Sequence, residues 1–155
     1  MGVKLLCLSA QIMPPKILIA DDNLTNVELL DAYLAGRDYE IETAADGAET
    51  LEKVNSFSPD LVLLDVMMPK LSGFEVCEKL KSNPQTKGIM VLMVTALSEL
   101  GDIERAVNAG CDDFLSKPVH KSALLKRVDN MLKLRHVTNE LERLKQYIDE
   151  MDKDG

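Results

Sequence analysis

Three stretches of this sequence are apolar without interruption and then stop at a polar side chain. They are Lys16-Ile-Leu-Ile-Ala-Asp21, Asp60-Leu-Val-Leu-Leu-Asp65, and Ile89 to Val94, which halts at Thr95. A strand with one face in water alternates apolar and polar residues. An unbroken apolar run signals a strand buried on both faces, the situation inside a parallel sheet covered by helices.

The intervening segments supply those helices. Thr25-x-x-Glu28 offers a capping box, and Val27, Leu30 and Leu34 recur at helical spacing until Gly36. Tyr39 to Thr43 reads as a short strand. Asp46-Gly47 then turns into a helix with Ala48, Leu51 and Val54 on one side. Ser72-x-x-Glu75 caps a third helix carrying Phe74, Cys77 and Leu80, which ends at Asn83-Pro84. A fourth helix runs roughly from Glu99 to Ala109 and is closed by Gly110. Asp113 to Ser116 is a fifth strand, and a fifth helix starts near His120. A strand and helix repeated five times predicts an α/β fold, a doubly wound five-stranded parallel sheet.

At 155 residues the chain supports one well-buried core. The expected organisation is an N-terminal extension over 1–13, a main domain over 14–134 and a C-terminal helical extension over 135–155. The apolar stretch Leu5 to Leu8 is shorter than a signal-peptide core, and no run approaches the ~18 residues of a membrane span. Cys7, Cys77 and Cys111 have no metal-ligand spacing and read as reduced thiols, which points to the cytoplasm. His120 and His136 show no ligand spacing either and read as surface residues. A formal net charge of −8 disfavours contact with a nucleic-acid backbone. It suits a site that gathers carboxylates around a divalent cation.

In doubly wound sheets ligands bind beyond the carboxyl ends of the strands, where strand order reverses. Asp21-Asp22, Asp65, Thr95 and Lys117 each lie where a strand gives way to a loop. Each alone has a plainer reading. An acidic pair after a strand is often a helix N-cap, a threonine can cap the next helix, and Lys-Pro is commonly a surface turn. Asp112-Asp113, another acidic pair, reads as an exposed loop and strand start. Four polar features at four strand ends are harder to assign to chance. Three carboxylates at one rim repel unless a cation joins them, and all-oxygen donors favour Mg²⁺. Such a site is equipped for phosphoryl transfer, with Asp65 as nucleophile, Lys117 and the metal neutralising phosphoryl charge, and the Thr95 hydroxyl donating to a phosphoryl oxygen.

With these residues in place, the sequence resembles the receiver domains of bacterial two-component response regulators, the CheY-like superfamily. The likeness runs from Lys16 to Leu134. It rests on Ile-Leu-Ile-Ala-Asp21-Asp22, Leu-Val-Leu-Leu-Asp65-Val-Met-Met-Pro-Lys70, Met-Val-Thr95-Ala96 and Phe114-Leu-Ser-Lys117-Pro118. The resemblance implies a flavodoxin-like fold and a phosphoacceptor Asp65 served by a sensor histidine kinase or phosphotransfer protein. It implies side-chain ligation of Mg²⁺ by Asp22 and Asp65, a water-mediated role for Asp21, and a backbone carbonyl from Met67. Lys117 would pair with the phosphoryl group, and Pro118 would follow a cis peptide bond. Thr95 and Phe114 would form the switch, altering the surface of the fourth helix, fifth strand and fifth helix. Alternatively, Phe114 is simply permanent core. Met67 and Leu97 occupy positions that tune hydrolysis in this family. Both are apolar and unable to orient a water, so a phosphorylated state lasting minutes or longer is expected.

The resemblance makes the chain a signalling phosphoacceptor that catalyses only its own phosphotransfer and dephosphorylation. Two rivals stand beside it. One is an unphosphorylated receiver-like interaction module, marked by loss of the acceptor or metal acids, all of which are present. The other is an aspartyl-phosphate phosphohydrolase, whose second Asp two places after the nucleophile is here Met67. Beyond the receiver-like region, Leu134, Val137, Leu141, Leu144, Ile148 and Met151 alternate at spacings of three and four. That is a heptad seam, flanked by Glu140, Glu142, Arg143 and Lys145. It predicts an extension of the fifth helix that pairs with a second copy. The expected homodimer thus uses both this helix and the switch surface.

Overall fold

The computed structural model describes residues 13–96 and 99–154. Residues 1–12 of the expected N-terminal extension, with Cys7, lie outside the described residues, as does Leu97. β1 (Lys16–Ala20), β3 (Leu61–Leu64) and β4 (Met90–Thr95) are buried along their whole length, apart from half-exposed Lys16. β2 (Glu40–Ala44) and β5 (Asp113–Ser116) are partly exposed and carry charges. This difference in composition sorts the strands: the five form one parallel sheet in the order β2-β1-β3-β4-β5, with the polar strands at the edges.

Side chains alternate across each strand, and every central strand therefore feeds two cores. Ile17, Ile19, Leu61, Leu63, Leu92 and Val94 face α1 (Leu24–Leu34) and the start of α5 (Lys121–Asp154), meeting Val27, Leu30, Leu34, Leu124 and Val128. Leu18, Val62, Leu64, Val91 and Met93 face the opposite layer of α2 (Gly47–Phe57), α3 (Gly73–Ser82) and α4 (Leu100–Asn108). There they meet Val54, Phe74, Cys77, Leu80 and Ala106. Each such side chain taken fully out of water contributes about 1.5–3 kcal/mol, which is why the apolar runs cannot tolerate a polar member.

The helix starts show where local chemistry outweighed pattern. Asn23, not the Thr25-Glu28 pair, caps α1. Its side-chain oxygen accepts from the Thr25 and Asn26 amides at 2.9 and 3.3 Å, so the helix begins at Leu24. Asp46 and Ser72 cap α2 and α3 as the sequence predicts. On α2 the most buried side chains are Thr50, Val54 and Phe57, with Leu51 packed at the edge of that stripe. Gly110 ends α4 at φ 91°, a backbone conformation that favours glycine.

Asp112 does more than occupy an exposed loop. Its Oδ2 accepts the Val91 amide of β4 at 2.7 Å and the Lys81 ammonium of α3 at 2.8 Å. Lys81 also donates to the Ile89 carbonyl at 2.7 Å. One carboxylate thus ties the β5 approach to its neighbouring strand and to α3. Replacing it with alanine leaves the Val91 amide without this acceptor and takes from Lys81 its anionic partner. Asp112→Ala is expected to lower stability by about 1–3 kcal/mol in urea unfolding, with the m-value unchanged.

Candidate functional site

Strand register builds the site. Ala20 pairs with Leu64 across β1 and β3, and the Asp65 amide donates to the Ala20 carbonyl at 2.9 Å. The next residues on the two strands, Asp21 and Asp65, therefore emerge side by side. They do so where β1 has β2 on one side and β3 on the other, the reversal point of the sheet. Both are buried, whereas Asp22 is exposed. Carboxylate oxygens of Asp21, Asp22 and Asp65 all lie within 4.8 Å of one another.

Lys117 enters from the far end of β5. Its backbone amide donates to the Thr95 carbonyl at 2.9 Å, and the Lys117-Pro118 peptide is cis, as the motif implies. The ammonium donates to Asp21 Oδ2 at 2.9 Å and to Asp65 Oδ2 at 3.3 Å. Asp21 Oδ1 also accepts the Asn23 amide at 2.9 Å. Thr95, fully buried at the end of β4, contributes a hydrogen bond to the Asp65 carboxylate. Asp65, only 7% exposed, is nevertheless held above the usual carboxylate range. Desolvation is the main cause, reinforced by Asp21; Lys117 and Thr95 oppose it without cancelling it.

The loop after β3 is held by close backbone contacts. Gly73 packs against the Asp65 carbonyl and Gly47 against the backbone of Leu71, leaving no room at either for a side chain. The Gly73 amide donates to the Val66 carbonyl at 2.9 Å. Lys70, at φ 70°, reaches Asp46 Oδ2 at 3.3 Å. Asn23, Gly47 and Gly73 are the supporting residues that motif reading missed. Asn23 carried an N-cap signal, and each glycine opens a helix where a small residue is not otherwise needed.

The other expected positions are less uniformly gathered. The Met67 amide points at Asp65 Oδ1, at 3.4 Å, while its residue is 65% exposed beside the acids. Phe114 is half-buried and packs against the cluster that contains Ala106 and Ala109. It is neither fully enclosed core nor free of the domain. Cys77 and Cys111 are free thiols. Burial pushes Cys77 up to about 12 and raises Cys111 as well, so neither is poised to react. His120 and His136 are exposed.

A five-stranded parallel sheet with an acid triad and a lysine at its carboxyl rim has counterparts among known proteins. Residues 17–129 match the response regulator receiver domain family. The chain belongs to that family. It is 43% identical over 129 residues to the response regulator PleD of Caulobacter vibrioides, covering 83% of this chain and 28% of that protein. It is 37% identical over 119 residues to the DNA-binding dual master transcriptional regulator RpaA of Synechocystis, covering 77% and 49%. The solved CheY-like receiver domain protein of Methanospirillum hungatei superposes with a TM-score of 0.76 at 29% identity, over 81% of this chain and 99% of that one. The chain thus spans half or less of those two curated relatives.

As a receiver domain, its acidic pocket has the all-oxygen donor set that Mg²⁺ takes, and the excess negative charge there is what a divalent cation relieves. No helix among the described residues is long and apolar enough to cross a membrane. The raised Asp65 pKa makes a prediction about stability. The folded state holds that proton more tightly than the unfolded chain. Its stabilisation is therefore complete at low pH and lost as pH rises through the folded value. Above that value the ionised carboxylate is a net cost. Asp65→Asn is expected to raise the thermal midpoint at pH 7 without divalent cations, with the gap closing as pH falls to the unfolded carboxylate range. An unchanged or lower midpoint at pH 7 contradicts it.

Proposed function

We propose that this chain is a phosphorylation-controlled receiver in which Asp65 accepts a phosphoryl group from the phosphohistidine of a sensor histidine kinase or phosphotransfer protein. The observation that carries the reading is a single ammonium, Lys117, shared by Asp21 and Asp65 beside Asp22. A carboxylate oxygen of Asp65 attacks phosphorus, the bond from phosphorus to the donor breaks, and an acyl phosphate forms. Lys117 follows the charge from the carboxylate to the phosphoryl oxygens, and the buried Thr95 hydroxyl donates to one of them. Asp21, Asp22, Asp65 and the Met67 carbonyl would hold Mg²⁺, which when bound neutralises further phosphoryl charge. The intact acid set favours this over an unphosphorylated interaction module. Met67 in place of a second acid disfavours a phosphohydrolase.

Phosphorylation draws Thr95 toward the new oxygens, and Phe114 turns inward into the space that opens. The readout surface is that of α4, β5 and α5. Its present state supports the idea of a partner there: Leu100 and Val107 are exposed on α4, while Asp113 of β5 and Arg127 of α5 are joined at 2.7 Å. The formal charge of −8 argues against direct nucleic-acid contact by this segment, whatever a longer protein around it does.

Incubation with acetyl phosphate and Mg²⁺ is expected to add one phosphoryl group by mass, and none to Asp65→Asn. Lys117→Ala should slow the addition about 10²-fold, the usual cost of one donor aimed at transition-state charge. Mg²⁺ at about a hundred times its Kd should stabilise the chain by ~2.7 kcal/mol, and much less after Asp65→Asn. With Met67 and Leu97 both unable to orient water, the phosphorylated chain should persist for minutes or longer. A lifetime of a few seconds in Mg²⁺ removes that assignment of the two positions.

A further inference from the structure

We propose that residues 134–151 of α5 form a parallel, in-register two-stranded coiled coil with the same segment of a second copy of this chain. The proposal goes beyond the phosphoacceptor reading and does not depend on it. α5 runs unbroken for 34 residues, about 51 Å at 1.5 Å per residue, and only its first turns pack on the sheet. Beyond them Leu134, Val137, Leu141, Leu144, Ile148 and Met151 are 48–58% exposed, an unusual run for apolar side chains on one stripe.

The stripe faces away from the chain's own domain. Leu124, Val128 and Met131 bury one face of α5, and Arg135 continues it, donating to Asp60 Oδ1 at 3.4 Å and to the Gly88 carbonyl. At about 100° per residue, the apolar stripe lies roughly 150° round the helix from that face. The face that holds α5 by Arg135 is therefore turned away from the stripe, which is open to a second chain.

Spacing and charge select the occupant. The alternation of three and four places Leu134, Leu141 and Ile148 at the a positions of a heptad and Val137, Leu144 and Met151 at d. Glu140 then falls at g and Lys145 at the following e. In a parallel, in-register pair these two face each other across the interface, twice by symmetry. In an antiparallel pair Glu140 meets the region of Tyr147 and Lys145 that of Thr138, and both ion pairs vanish. Residues 135–154 hold four basic and six acidic side chains, the wrong balance for an anionic membrane surface. At under three heptads the coil is short, so the association is reversible and concentration-dependent.

Sedimentation equilibrium of the full chain, with no phosphoryl donor, is expected to show a monomer–dimer equilibrium. Leu141→Asp with Leu144→Asp should raise the dimer Kd about 100-fold or more, with circular dichroism confirming that the domain remains folded. Glu140→Lys alone should weaken the dimer about tenfold, as should Lys145→Glu. Glu140 also lies 3.2 Å from His136 in its own helix, so the decisive variant is the double exchange, which should recover wild-type affinity. Leu144→Cys should cross-link to itself under mild oxidation. A chain monomeric at every concentration, a dimer indifferent to the seam, a double exchange that fails to recover, or a Leu144→Cys dimer that does not cross-link would each overturn the proposal.

Discussion

One ammonium stands between two buried carboxylates, and the carboxyl rim of this sheet is arranged around it. Asp21 and Asp65 are brought together by register, because Ala20 and Leu64 pair and the next residue on each strand is an acid. Left alone, two such charges in a desolvated rim would destabilise the very pairing that aligns them. Lys117 arrives from the end of β5, an edge strand two places from β3, to offset this at 2.9 and 3.3 Å. It does not do so completely: Asp65 still holds its proton more tightly than an ordinary carboxylate. A structural salt bridge would be closer to balance. Three carboxylates against one ammonium leave negative charge at the rim, which a divalent cation would relieve.

Much of this was legible in the sequence because burial and chemistry are written in the same places. The unbroken apolar runs mark β1, β3 and β4, and the polar residue ending each run marks the rim. Asp21, Asp65, Thr95 and Lys117 fall together as the spacing implied. What the pattern could not show were residues whose work is done through the backbone. Asn23 captures two amides and shifts the start of α1. Gly73 is required because the Asp65 carbonyl occupies the place of its side chain, and Asp112 holds a β4 amide. None of these contacts leaves a hydrophobic period or a paired charge to read; each depends on what folds against it.

The two acids that bracket β3 show the limit most clearly. Asp60 and Asp65 flank the same apolar run and look equivalent in the sequence. Asp60 accepts the Lys16 amide at 2.9 Å and the Arg135 guanidinium at 3.4 Å, while its own carbonyl accepts the Met90 amide. It is an anchoring acid, half-exposed and well supplied with donors. Asp65 faces a like charge with a shared ammonium. The same residue type sits in two environments at the two ends of one strand, and the difference lies in burial and in the like charge that Asp65 faces.

That division also assigns the two ends of the sheet separate tasks. The Asp60 contact with Arg135 fixes the rotation of α5 about its axis where it leaves the domain. The direction in which the Leu134–Met151 stripe points is therefore set at the amino rim of β3. The acid cluster sits at the other rim, one strand length away. β3, buried along its length and hydrogen-bonded to both β1 and β4, spans the distance between the two rims. Thr95 and Lys117 approach Asp65 from the ends of β4 and β5, so Asp65 meets that side of the sheet through side chains as well as through the strand ladder. The exit helix and the acid cluster are thus held by separate contacts, Asp60 with Arg135 at one rim and Lys117 with Asp21 and Asp65 at the other.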